Sequence, residues 1–174
     1  MVYLGPDPVP AAPDTIAELR RRGVKVGFVT NNAARSAEVV AQHLTDIGIP
    51  TGPNDVVTSG QAISDLAADT LPAGARVLIV GTESLRDEAR ARGLKPVESA
   101  RDDPVAVIQG YDSQIAWPLL EEAGFALQSG AMWYAANPDI TRPTDRGIVP
   151  GIGAQLQVVA TTCNAEPVIA GKPY

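Results

Sequence analysis

The feature that most constrains this chain is a repeated alternation. A short run of β-branched residues is followed by a stretch whose apolar residues lie three and four apart, with glycine or proline between the two. Pro13-Asp14 opens a helix in which Ile16 and Leu19 share a face and which Gly23 stops. Val24 to Val29 then reads as a buried strand, and Ser36 caps a helix with Val40, Leu44 and Ile47 on its apolar side. The pattern continues through Val56-Val57, a helix with Ile63 and Leu66, and a strand from Arg76 to Val80. Next come a helix from Glu83 to Arg92 with Leu85 and Ala89 inward, a strand from Val105 to Gln109, and a helix from Ile115 to Gln128. A strand from Ala131 to Ala136, a loop from Asn137 to Gly151, a helix to about Cys163 and a strand at Val168-Ile169 complete it. Strands that alternate with helices demand crossover connections, so the predicted fold class is α/β with mostly parallel sheets.

Composition removes several functions. Apolar residues make up 45% and charged residues 20% of the 174, enough to build a core. A net charge of −6 argues against nucleic acid as a partner. No apolar run reaches the roughly 18 residues of a membrane span, and the first residues lack the pattern of a signal peptide, which makes the expected location cytoplasmic. The single Cys163 excludes an internal disulfide, and the single His43 excludes a multi-histidine metal centre. His43 reads as solvated and Cys163 as packing, while Trp117, Trp133 and Tyr134 read as core.

In open parallel sheets, ligands gather beyond the carboxyl ends of the strands. That rule singles out Thr30, Asn31 and Asn32, which offer a hydroxyl, two carboxamides and exposed backbone N–H groups suited to a phosphate. The same trio is equally readable as a plain turn. Lys172 follows the strand at Val168-Ile169, where an ammonium could neutralise a phosphoryl group, although spacing alone favours a solvated lysine. The loop from Asn137 to Gly147 carries Arg142 and Arg146, and loops of this length are often functional. Gly151-Ile152-Gly153 follows a loop instead of a strand and is not a dinucleotide fingerprint; Thr82 reads as a helix cap.

Taken together, Val2-Tyr3-Leu4-Gly5, GFVTNNAARS at 27–36, VLIVGTESL at 77–85, ANPDITRPTDRGIVPGIGA at 136–154 and AGKPY at 170–174 resemble one family. It is the haloacid dehalogenase-like phosphatases, in the branch that holds phosphoglycolate, glycerol-phosphate and nitrophenyl-phosphate phosphatases. The resemblance implies a partial Rossmann-like core over 1–69, an inserted α/β cap over 70–165 and a return to the core over 166–174. It implies that Thr30 holds the phosphoryl group beside Asn31 and Asn32, and that Lys172 neutralises it. Arg142 falls in the cap loop that meets the substrate, where a guanidinium suits a carboxylate. The implied reaction is Mg²⁺-dependent hydrolysis of a small phosphorylated metabolite through an aspartyl phosphate, with pairing of two chains through the cap.

The departures weigh as much as the matches. Relatives place Asp-x-Asp-Gly immediately before the equivalent of Val2-Tyr3, the first Asp as nucleophile and the second as general acid and base, and carry a further acidic motif downstream. Neither segment is present, so the chain reads as truncated at both ends and as inactive alone. The alternative is a non-catalytic module that binds phosphorylated metabolites.

Overall fold

Two apolar clusters, the smaller drawn from the first 56 residues and the larger mostly from those after them, set the architecture. The computed structural model describes residues 2–174. Its first part runs through β1 (Tyr3–Leu4), β2 (Asp7–Pro8), α1 (Ala12–Arg21), β3 (Phe28–Thr30), α2 (Ala37–Asp46), β4 (Val56–Thr58) and α3 (Ser59–Thr70). The second comprises β5 (Arg76–Val80), α4 (Glu83–Ala91), β6 (Lys95–Val97), β7 (Ala106–Gln109), α5 (Trp117–Gln128), β8 (Met132–Ala135), β9 (Thr141–Thr144), β10 (Gly147–Pro150), α6 (Ile152–Ala160) and β11 (Val168–Ile169). The mixed α/β class with parallel sheets is the one expected from the alternation.

The smaller cluster joins Ile16 of α1, Val40 and Leu44 of α2, Ile49 and Val56. Beside it β3 and β4 pair in parallel, with Thr30 opposite Thr58. Ser36 caps α2 as expected, its hydroxyl accepting the N–H of Val39. Gly48, at φ +89°, takes the left-handed geometry that ends the helix.

The larger cluster surrounds a five-stranded, all-parallel sheet in the order β11-β8-β7-β5-β6. Its middle strands, β5 and β7, are the continuous apolar runs Val77 to Val80 and Ala106 to Ile108, buried on both faces as a covered parallel sheet requires. α3 packs on α4 and α5 on α6. The chain leaves β5 in one direction through α4 and moves in the other through α5, so right-handed crossovers place these helices on opposite faces. The order reverses between β5 and β7, the switch point where a crevice forms outside the carboxyl ends.

Several expectations are corrected. The strand expected from Val24 is only Phe28–Thr30, because its sole ladder partner among the described residues, β4, is three residues long. The loop expected over 137–151 contains a hairpin, β9 with β10, turning at Asp145-Arg146 with Thr144 opposite Gly147. Trp133 and Tyr134 are core, but Trp117 is 62% exposed at the first turn of α5. His43 is half-buried: its ring packs edge-on against Tyr3 with centroids 4.6 Å apart, and its Nε2 is buried. Thr82 stands at the N-cap of α4, yet its hydroxyl donates to the carbonyl of Ala34 instead of capping. Ile63 and Ala67 of α3, together with Ala33, pack into the larger cluster. The strand at 168–169 extends the larger sheet, and the Lys172 ammonium bonds to the carbonyl of Val29 in β3.

Ile108 is fully buried in the middle of β7, whereas Ile148 is 76% exposed on the hairpin. Ile108→Ala is expected to lower stability in urea by about 2–5 kcal/mol, and Ile148→Ala to change it by less than about 0.5 kcal/mol.

Candidate functional site

The turn after β3 lies across the carboxyl edge of the larger sheet. Thr82, which follows β5, donates to Ala34 at 3.3 Å. Ala33, 2% exposed, sits where Gly110 at the end of β7 leaves no room for more: a Cβ on Gly110 would lie 3.2 Å from that of Ala33 and 2.8 Å from Leu85 Cδ2. Asn137, which follows β8, donates through Nδ2 to the carbonyl of Asn31 at 2.6 Å. Residues after β5, β7 and β8 thus hold one turn, and the crevice at the switch point is filled by protein.

Lys172 approaches the same turn from beyond β11. Its N–H donates to Asn31 Oδ1 at 2.9 Å, its carbonyl accepts from Asn31 Nδ2 at 3.1 Å, and its Nζ donates to the carbonyl of Val29 at 3.2 Å. The ammonium is therefore fixed one residue from Thr30. Gly171 makes the approach feasible: it is buried, and a Cβ there would run into the carbonyl oxygen of Ala136 and lie 2.6 Å from Asn137 Cβ.

The donors are arranged for an anion. Thr30 Oγ1 accepts the N–H of Asn32 at 3.1 Å, which leaves its own hydrogen to donate. An ammonium carries three hydrogens, so the Nζ of Lys172 retains two beyond its bond to Val29. Asn32 Oδ1 accepts from the N–H of Ala34 at 2.9 Å, tightening the turn. α3 begins at Ser59, directly after the Thr58 that pairs with Thr30, so the positive end of a helix lies beside the strand end. Thr58 and Gln61 satisfy each other in a capping box there.

The structure brings Thr30, Asn31, Asn32 and Lys172 together. Arg142 belongs to a different group of contacts: it stacks on the ring of Tyr111 at 4.8 Å and donates to the Tyr111 hydroxyl at 3.0 Å. Tyr111 and Ser59, which bond to Arg142 and to the carbonyl of Asn31, were not singled out from the sequence, and Asn137 and Asp139, which bond to Asn31, were noted there only as part of the 137–147 loop. Tyr111 and Asn137 both follow strands, so the rule applied to Thr30 and Lys172 would have found them.

Residues 1–95 match the family described as haloacid dehalogenase-like hydrolase. The chain belongs to the haloacid dehalogenase-like hydrolases. Over 172 residues it is 45% identical to the D-glycerol 3-phosphate phosphatase of Mycobacterium tuberculosis, a match that takes in 99% of this chain and 48% of that protein. It is 32% identical over 172 residues to the acid sugar phosphatase of Staphylococcus aureus, across 99% of this chain and 65% of that one. The crystal structure of the glycerol phosphate phosphatase from Mycobacterium tuberculosis in complex with magnesium superposes with a TM-score of 0.94 at 44% identity, covering 99% of this chain and 52% of that chain. This member of the family thus spans about half the length of the first of these relatives.

Magnesium is present in that crystal structure, and this ion ordinarily keeps several waters and takes one or two carboxylates together with substrate phosphate. Hard cations take several oxygen ligands, carboxylates among them. Among the described residues no three or more His, Cys, Asp or Glu side chains gather to hold a metal ion, and Asp139, beside the turn, is bonded to Asn31 Nδ2 at 3.0 Å. No helix among the described residues is long and apolar enough to cross a membrane.

Gly171→Ala is expected to displace the backbone at Lys172 and lower stability by about 1–3 kcal/mol in urea denaturation. Gly52→Ala, at an ordinary φ of −89° with only a flexible Asp55 oxygen 3.6 Å from its added Cβ, serves as the control and is expected to cost less than about 0.5 kcal/mol.

Proposed function

We propose that this chain grips the phosphoryl group of a small phosphate monoester between Thr30 and Lys172, and that it does so as part of a phosphomonoesterase of the glycerol-phosphate or phosphoglycolate type. The observation that carries the reading is the position of the Lys172 ammonium on the carbonyl of Val29, next to a threonine whose hydroxyl hydrogen is free. The kinship to phosphatases of glycerol phosphate and acid sugars supports the same substrate class. Thr30 orients a phosphoryl oxygen by hydrogen bonding, and Lys172 offsets the charge that spreads over the others, as phosphoryl transfer requires. Segment 70–165 serves as the cap over this site, packed against α3. Arg142, held against Tyr111, supplies a guanidinium for the carboxylate or hydroxyl end of the substrate.

The aspartyl-phosphate route that the resemblance implies needs a carboxylate nucleophile and a divalent cation, and among the described residues no three or more His, Cys, Asp or Glu side chains gather for that cation. The expected behaviour of the 174-residue chain is therefore binding without turnover. A binding module that never hydrolyses its ligand is the second reading, favoured by the same lack of an acidic cluster among the described residues. The two readings part on any longer protein in which this chain is contained: release of phosphate from glycerol 3-phosphate in the presence of Mg²⁺ supports the enzyme, and tight binding without release supports the module.

For the chain itself, calorimetric titration with inorganic phosphate is expected to show binding that Thr30→Val and Lys172→Met each weaken by about tenfold or more. Equal affinity in Lys172→Met would overturn the site. Phosphate release from p-nitrophenyl phosphate above that of a Thr30→Ala control would overturn the claim that the chain does not turn over.

A further inference from the structure

The carboxamide of Asn31 is wholly engaged by the protein. Its two N–H groups donate to Asp139 Oδ2 at 3.0 Å and to the carbonyl of Lys172 at 3.1 Å, while Oδ1 accepts the N–H of Lys172 at 2.9 Å. A phosphate oxygen is an acceptor, and a primary amide has only two hydrogens to give. The side chain of Asn31 therefore has nothing left to offer an anion. This departs from the substrate-binding role that the resemblance assigns it.

What Asn31 holds is the main chain of Lys172, at both its N–H and its C=O. Upstream of Lys172, the ladder of β11 with β8 ends at Ile169, and the N–H of Ala170 reaches Ala135 only at 3.4 Å. Downstream, Tyr174 bonds back to Gly171. Between those points the reciprocal pair from Asn31 is the hydrogen bonding that fixes the lysine backbone to the β3 turn. A lysine side chain is flexible, with four methylenes, so the position of its ammonium depends on where its Cα is anchored. Asn31 is itself anchored from behind, its carbonyl accepting from Ser59 Oγ at 2.8 Å and Asn137 Nδ2 at 2.6 Å. Ser59 and Asn137 are each 3% exposed.

We propose that Asn31 is a positioning residue that acts through Lys172. Its carboxamide sets the lysine backbone so that Nζ arrives beside Thr30, and it ties the same backbone to the 137–139 segment through Asp139. The role in phosphate binding rests on the Thr30–Lys172 reading above, whereas the backbone anchoring does not.

The chain contains three lysines, Lys25, Lys95 and Lys172, so lysine-selective isotope labelling resolves each by NMR. Two readouts are taken on the full chain: exchange of the Lys172 amide hydrogen, and the response of the lysine ε-methylene signals to inorganic phosphate. In the unsubstituted chain the Lys172 amide is expected to be protected, and its ε-signal alone to shift with phosphate. Asn31→Leu, close in size but unable to bond, is expected to raise Lys172 amide exchange and weaken the phosphate response by about tenfold each. Asn31→Asp alone would set a carboxylate against Asp139 and the Lys172 carbonyl, so it is combined with Asp139→Asn, which removes the like-charge contact; the double variant keeps an acceptor for the lysine N–H, and amide protection is expected to stay within about threefold of the original. That double variant also decides the matter should the leucine variant fail to fold. Amide exchange and phosphate response in Asn31→Leu within about twofold of the original overturn the proposal, as does an unprotected Lys172 amide in the original chain or about tenfold faster exchange in the Asn31→Asp, Asp139→Asn double variant. A protected amide with no ε-signal response to phosphate overturns the phosphate pocket and leaves the anchoring supported.

Discussion

The hydrogen bonds between the β3 turn and the carboxyl edge of the larger sheet are the constraint on which the candidate site depends. Neither partner is sufficient alone: the turn supplies Thr30, and the far end of the chain supplies Lys172, 142 residues later. Asn31 receives bonds on its carbonyl from Ser59 and Asn137 and commits its carboxamide to Lys172 and Asp139. Ser59 and Asn137 are almost wholly buried, where a polar group that loses its partner costs about 1–3 kcal/mol. Burial converts these otherwise modest bonds into a firm specification of where the ammonium lies.

Close backbone approach serves the same end. Gly110, Gly153 and Gly171 line the edge at places where a methyl group would strike neighbouring atoms: Leu85 Cδ2, the carbonyl of Pro138 and the carbonyl of Ala136. The Gly-x-Gly of 151–153, which resembles a nucleotide fingerprint, thus has a packing role, since the N–H of Gly153 donates to the carbonyl of Asp139 at 2.8 Å. It fixes the segment whose Asp139 bonds to Asn31.

The sequence displayed those parts of the fold that follow from burial and period. The run Arg76 to Val80 is visible as a strand because it is apolar throughout, and α2 is visible because Ser36 and Gly48 bracket a clean helical face. Thr30 and Lys172 were accessible because one ends a strand and the other follows one. The β9–β10 hairpin was hidden because both its strands are largely exposed and so carry no alternation, and because Pro143 and Pro150 argue against strands. β6 was hidden by its shortness and by Pro96, tolerable only because β6 is the edge of the sheet. The role of Asn31 could not be read from the chain at all. Whether a carboxamide has a hydrogen left for a ligand depends on what the fold places around it, here residues 139 and 172.

The most direct measurement is a crystal structure of this chain grown with inorganic phosphate or its heavier analogue tungstate. The account predicts one anion at the end of β3, about 3 Å from both Thr30 Oγ1 and Lys172 Nζ, with Asn31 still bonded to the lysine backbone. An anion bound elsewhere, or a Lys172 ammonium turned away from Thr30 to a separate surface, would contradict it.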